Sequence, residues 1–213
     1  MGFWKWIQFE FFIQWRAVRD YAHKLGIVVI GDIPIYVAHD SVDVWAAPAE
    51  FLLDDDYNPI VVAGCPPDLF SEDGQLWGNP LYNWKGMKKD GYSWWRDRIR
   101  HMLSLFDGIR IDHFRGFAAY WSVPYGEKTA KNGRWITGPG MSLVGVLRDW
   151  FHQIRFIAED LGFPSSDVVQ LLQDSGFPGM KVLEFAFDAR DSSGYLPHMY
   201  EKNCVCYAGT HDN

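Results

Sequence analysis

The feature that most constrains this chain is a series of short apolar runs, each ending in an acidic motif and separated from the next by helical periodicity. Asp107-Gly108-Ile109-Arg110-Ile111-Asp112-His113 comes first. Ile157-Ala158-Glu159-Asp160-Leu161-Gly162 follows, and Gly209-Thr210-His211-Asp212-Asn213 is third. Apolar runs this short and this β-branched read as strands covered on both faces. Strands alternating with helices imply parallel β/α units.

The intervening pattern supports that reading. Trp4 to Lys24 reads as a helix closed by Gly26, and Ile27-Val28-Val29-Ile30 as a buried strand. Residues 34 to 90 read as a long loop rich in Pro, Gly, Asp and Trp, a length usually tied to function. Tyr92 to Phe106 reads as a helix leading into the strand Ile109-Arg110-Ile111. Phe117 to Gly140 reads as irregular, Ser142 to Phe151 as a helix and Phe156-Ile157-Ala158 as a strand. Ser165-Ser166-Asp167 is a good N-cap for a helix to Ser175. Met180 to Phe187 and Val205 to Ala208 read as two further strands. Polar residues at the C-terminal ends of strands favour a (β/α)-barrel over an open doubly wound sheet. The open sheet would be supported by a Gly-x-Gly-x-x-Gly or phosphate loop, and the sequence has neither. No repeat or linker divides the chain, so residues 1–213 read as one domain.

Charge and composition exclude some functions. A formal net charge of -7 argues against a phosphate-binding surface for nucleic acid, but not against a neutral ligand such as a sugar. The chain has 11 Trp, 10 Tyr and 15 Phe. Most of these rings belong in a core, and the surplus fits a site that stacks weakly polar faces. Cys65, Cys204 and Cys206 lack the spacing of a redox or zinc motif and read as reduced thiols in a cytoplasmic protein. Lys5, Gln8, Glu10, Gln14 and Arg16 interrupt the N-terminal apolar run at helical intervals, which suits an amphipathic helix better than a signal peptide. No apolar stretch is long enough to span a bilayer.

The acidic motifs suggest chemistry. Residues two apart on a strand share a face, so Arg110 and Asp112 would both point inward, with the guanidinium favouring an ionised carboxylate. Such an Asp suits a nucleophile, or equally a structural ion pair. Glu159 follows a buried run, and desolvation suits a general acid; Asp160 reads rather as a cap for the next helix. His211-Asp212 offers a hydrogen-bond donor beside an acceptor. Paired carboxylates about a scissile bond are the signature of glycoside cleavage, with retaining enzymes placing them roughly 5–5.5 Å apart. Metal-assisted hydrolysis lacks a His-x-His or His-Glu-x-x-His cluster, and a serine mechanism lacks its Gly-x-Ser-x-Gly elbow.

Four ordered regions resemble those of the α-amylase superfamily: Asp32-Ile33-Pro34-Ile35-Tyr36-Val37, Gly108 to His113, Glu159-Asp160-Leu161-Gly162 and His211-Asp212-Asn213. The stretches His39 to Trp45 and Gly64 to Trp84, with its Pro66-Pro67-Asp68 and Trp77-Gly78-Asn79-Pro80, narrow the resemblance to glycoside hydrolase family 77, the 4-α-glucanotransferases. The resemblance implies Asp112 as nucleophile, Glu159 as general acid/base and Asp212 as the third acid. It implies substrate contacts at Asp32, Trp77, Arg110, His113 and His211, and an acceptor-side loop carrying Asp68, Phe70 and Ser71. It implies no cofactor or metal, and α-1,4-glucans and glucose as partners, with neither nucleic acid nor membrane. The alternatives are an α-amylase-like hydrolase and a non-catalytic carbohydrate-binding remnant. The family's barrel has eight strands, of which this sequence matches about the third to the seventh. A (β/α)8 barrel needs about 250 residues. The isolated chain is therefore expected to have little or no activity.

Overall fold

The computed structural model describes residues 2–68, 71–162, 165–187 and 194–210. Its centre is a parallel three-stranded sheet in the order β1 (Ile30–Ile33), β4 (Gly108–Ile111), β7 (Arg155–Ala158). Every residue of β4 is buried, as expected for the middle strand of a sheet covered on both faces. The register places Asp32 beside Arg110 and Arg110 beside Ile157.

The other elements interleave in chain order. Helix α1 (Gly2–Lys24) precedes β1, and α2 (Val42–Ala46) follows it. Strands β2 (Val61–Cys65) and β3 (Gln75–Pro80) come next, then α3 (Trp84–Lys89) and α4 (Ser93–Leu105) before β4. After β4 come β5 (Ala119–Pro124), β6 (Arg134–Thr137) and α5 (Met141–Trp150), and after β7 comes α6 (Ser166–Ser175). Finally β8 (Gly179–Val182) pairs in parallel with β9 (Cys204–Tyr207). A backbone bond from Ala158 N to Pro178 O (2.9 Å) joins β7 to the start of β8. The architecture is α/β, with parallel strands separated by helices.

Helix positions follow from apolar spacing. Trp95 and Ile99 on α4, and Leu143, Val144 and Leu147 on α5, recur at helical intervals and are buried against the sheet. Gly176 ends α6 in the left-handed conformation (φ 71°) that glycine adopts without a Cβ penalty. Helix α1 is different, because none of its residues is buried. It is tied down by Trp15 Nε1 to Leu105 O (2.8 Å), Arg19 Nη1 to Ser104 O (2.7 Å) and His23 Nε2 to Asp107 (2.8 Å). Phe3, Trp4, Trp6 and Phe9 are nonetheless more than half exposed.

Several expectations need correction. The first strand lies at Ile30–Ile33, not 27–30. Gly31 fits there because a Cβ would meet the Phe106 ring at 2.2 Å, and Val29 is instead held by the Asp107 carboxylate (2.9 Å). Residues 34–90 and 117–140 are not irregular: they contain a four-stranded antiparallel sheet, β3-β2-β5-β6. Its strands are short and carry Gly, Pro and Trp, which hid the alternation. The strand expected over 180–187 stops at Val182 and gives way to a 3-10 helix, Leu183–Phe187. All three cysteines are free.

Candidate active site

The hydrogen-bond ladder of the parallel sheet continues one residue past the strands. Asp112 N bonds Ile33 O, Glu159 N bonds Ile111 O, and Phe114 N bonds Glu159 O, each at 3.0 Å. Asp112 and Glu159 therefore leave adjacent strands at the same, C-terminal end. With His113 they line a cleft of about 400 Å3 whose other walls are Pro34, Ile35, Tyr36, Gln75, Trp77 and Asn79. A larger cleft of about 820 Å3 between His39–Trp45 and Tyr57 contains none of the residues expected to act.

The floor of the site is organised by one cation. Arg110 is buried, and its Nη1 donates to both oxygens of Asp32 (2.8 and 2.9 Å) and to Asp112 Oδ1 (2.9 Å). Its Nε donates to the Met180 thioether (3.4 Å). Burial disfavours the charged guanidinium, but the hydrogen bonds and charges of Asp32 and Asp112 outweigh it and raise its pKa. Asp32 thus reaches the site through Arg110 without lining the cleft.

Glu159 sits in a different environment. Its Oε2 accepts from His113 N and its Oε1 from Leu161 N, both at 2.8 Å. Burial raises its pKa, the Asp112 charge adds to this, and the two backbone donors and Arg110 offset part of it. A carboxyl held this way retains its proton to higher pH than an exposed one. His113 reaches Glu159 by adopting the left-handed conformation (φ 50°), uncommon for a residue with a side chain and concentrated at functional sites. Burial, aided by the Arg115 charge, lowers its imidazole pKa to about 4, so the ring is neutral near pH 7.

An aromatic wall faces the carboxylates. The Trp77 and His113 rings meet edge to face at 4.8 Å, and Tyr36 packs against Trp77 at 6.1 Å and against His113 at 6.5 Å. Trp77 Nε1 donates to Gln75 Oε1 (3.0 Å), and Asn79 Nδ2 ties β3 to Val37 O (2.9 Å). Gln75, Trp77 and Asn79 alternate along β3, so one face of that strand supplies the wall.

The structure brings Asp112, Glu159, His113 and Trp77 to one cleft, with Arg110 bonded to both Asp112 and Asp32. Asp68 and Ser71 form a local turn, Ser71 N to Asp68 Oδ1 (2.8 Å), and do not line this cleft. Phe70, His211 and Asp212 lie outside the described residues. Asp160 does not cap α6, because its Oδ1 accepts from Met180 N (2.7 Å) and so holds β8. Tyr36, Gln75 and Asn79 were missed, although the two-residue spacing of Gln75, Trp77 and Asn79 was a usable signal. Met180 carried none. Among the described residues, no group of three His, Cys, Asp or Glu side chains is arranged to hold a metal ion. No described helix is long and apolar enough to cross a membrane.

A family model described as 4-alpha-glucanotransferase, glycoside hydrolase family 77, matches residues 1–213. The 4-alpha-glucanotransferase of Clostridium butyricum is 56% identical over all of this chain and 44% of its own length. The chloroplastic/amyloplastic 4-alpha-glucanotransferase of Solanum tuberosum is 54% identical over 97% of this chain and 36% of its own length. Amylomaltase from Streptococcus agalactiae, solved in complex with acarbose, superposes with a TM-score of 0.92 at 45% identity, over 97% of this chain and 42% of that one. The chain spans less than half the length of the curated relatives it matches. It belongs to glycoside hydrolase family 77, the 4-alpha-glucanotransferases.

Proposed function

We propose that these residues carry the chemistry of a retaining 4-α-glucanotransferase, with Asp112 as nucleophile, Glu159 as general acid/base and Asp212 as a third acid. An Asp112 oxygen attacks the anomeric carbon of an α-1,4-linked glucosyl unit and the C1–O bond breaks. Glu159 gives its proton to the departing 4-oxygen. The 4-hydroxyl of glucose or another glucan then loses its proton to Glu159, attacks C1 and displaces Asp112. Two inversions give net retention. The observation that carries this reading is the pairing of unlike carboxyls: Asp112 is held on a guanidinium at 2.9 Å, and Glu159 is buried with its pKa raised. His211 serves the sugar at the cleavage point and neutral His113 the acceptor side, while Arg110 partners the nucleophile and Asp32 acts through it. Trp77 stacks an acceptor sugar and keeps water from the intermediate, favouring transfer over hydrolysis. Asp68, Phe70 and Ser71 belong to an acceptor-side loop, of which Asp68 and Ser71 stand outside the lining of the cleft. The Streptococcus agalactiae amylomaltase complex with acarbose supports a glucan as ligand. Three free thiols support a cytoplasmic setting.

The same reading makes β1, β4, β7, β8 and β9 successive strands of a (β/α)8 barrel, with residues 1–213 part of one catalytic domain. Among the described residues one edge of β1 has no partner strand and the aromatic face of α1 is exposed, surfaces that further strands and helices of such a barrel would cover. The test replaces the matching segment of the Clostridium butyricum relative with this chain. Maltotriose should then give glucose together with a ladder of longer chains, and Asp112→Asn or Glu159→Gln should abolish both. The 213-residue chain alone should show little turnover. A hybrid that only hydrolyses, or that survives Asp112→Asn, would overturn the reading.

A further inference from the structure

The bonds of Arg110 to Asp32 and Asp112 are all made by Nη1, and the other edge of the guanidinium has a separate contact, in β8. Arg110 Nε donates to Met180 Sδ at 3.4 Å, and Met180 is 2% exposed. The backbone of Met180 is in turn held by a second contact, from Met180 N to Asp160 Oδ1 at 2.7 Å. Glycine at 179 makes room for that contact, because a Cβ there would meet both Asp160 oxygens at 3.0 Å. Asp160 itself sits two residues past β7, immediately after Glu159.

The chemistry of each atom suits the task. A guanidinium Nε–H left unpaired in a buried site is costly. A carboxylate there would satisfy it but add a third negative charge to compete with Asp112 for the same cation. A thioether is a weak, uncharged acceptor that fills the space and leaves the positive charge directed at the two aspartates. Arg110 is planar, so holding Nε fixes where Nη1 points.

We propose that Asp160 and Met180 form a positioning arm for the reaction, in which Asp160 sets the place of Met180 and Met180 orients Arg110 on the nucleophile. The proposal rests on the glucanotransferase reading for its kinetic consequence, but its structural consequence can be read without turnover. In 15N-labelled protein the Arg110 Nε–H signal is identified by its loss in Arg110→Lys. Its hydrogen exchange should be about tenfold faster in Met180→Leu, which keeps the volume and removes the sulfur. The same acceleration should appear in Asp160→Ala, although Asp160 does not touch Arg110. Asp160→Asn should restore protection, because its amide oxygen still accepts from Met180 N.

In the hybrid enzyme, Met180→Leu and Asp160→Ala should lower kcat about tenfold with KM little changed, as expected for a misplaced nucleophile. Exchange at Arg110 Nε that is indifferent to both substitutions would overturn the arm, even if Asp112→Asn remains inactive. Faster exchange with kcat unaltered would also overturn it as a positioning device. Activity surviving Asp112→Asn would instead defeat the glucanotransferase reading itself.

Discussion

Replacing Arg110 by methionine tests how the floor of the site is held. Nη1 carries two hydrogens and faces three carboxylate oxygens, so it makes two charge-assisted bonds, one of them shared by Asp32 Oδ1 and Oδ2. Fully buried, each would contribute about 1.5–3 kcal/mol. The Arg110 side chain is 10% exposed, but those of Asp32 and Asp112 are 44% and 43% exposed, so water takes over much of their solvation. About 1 kcal/mol per bond is therefore expected, or about 2 kcal/mol in all. For a chain of this size that lowers Tm by about 4–8 °C. Because folding raises the guanidinium pKa, its contribution is complete throughout the neutral range and disappears only in strong alkali. Methionine removes only the cation and leaves Asp32 and Asp112 without it, the case in which loss of an ion pair is destabilising. The assay is thermal unfolding followed by circular dichroism at pH 7. Activity in the hybrid enzyme should fall further, by about a hundredfold, because Asp112 is no longer held in place. An unchanged Tm, or full activity with a lowered Tm, would refute the role assigned to Arg110.

Three other outcomes follow from the same geometry. Trp77→Ala should raise the ratio of glucose released by hydrolysis to glucan transferred, measured on maltotriose in the hybrid enzyme; an unaltered ratio removes Trp77 from acceptor binding. The His113 ring should titrate by NMR with a midpoint of about 4, because burial and Arg115 oppose its charge. Relative to His113→Gln, the protein should lose stability as pH falls from about 6.5 toward that midpoint, since only the unfolded chain takes up the proton there. A midpoint near the ordinary histidine value would contradict the environment described. Gly31→Ala should cost about 2 kcal/mol in urea unfolding, because its Cβ would lie 2.2 Å from a Phe106 ring that is packed edge-on against Trp15. A neutral effect would mean that Phe106 is not packed against β1 as described.

The parallel strands were legible because burial on both faces leaves a simple mark, a short apolar run, and because acids follow at their ends. Ile109 to Asp112 and Phe156 to Glu159 show both, and the structure places them side by side. The first strand was misplaced because Ile27, Val28 and Ile30 are apolar yet about half exposed, while Gly31 and Asp32 inside the strand look like a turn. The antiparallel sheet was illegible for a different reason. Its strands carry glycine and proline, and β3 exposes most of its residues, so no hydrophobic alternation appears. Yet Gln75, Trp77 and Asn79 do alternate, and that spacing marks the cleft wall. The partnership of Asp160 and Met180 spans twenty residues and depends on β8 meeting β7, which no local pattern encodes.

The central claim is that Asp112 forms a covalent bond to the sugar while Glu159 manages the proton. In the hybrid enzyme, Glu159→Gln should be treated with α-maltotriosyl fluoride, whose leaving group needs no acid. Attack by Asp112 should then proceed and the next step should stall, because nothing removes the acceptor's proton. Mass spectrometry of the digested protein should find one maltotriosyl unit on the peptide containing Asp112, and none when Asp112→Asn is added. An adduct on another carboxylate, or turnover of the fluoride without any adduct, would contradict the account.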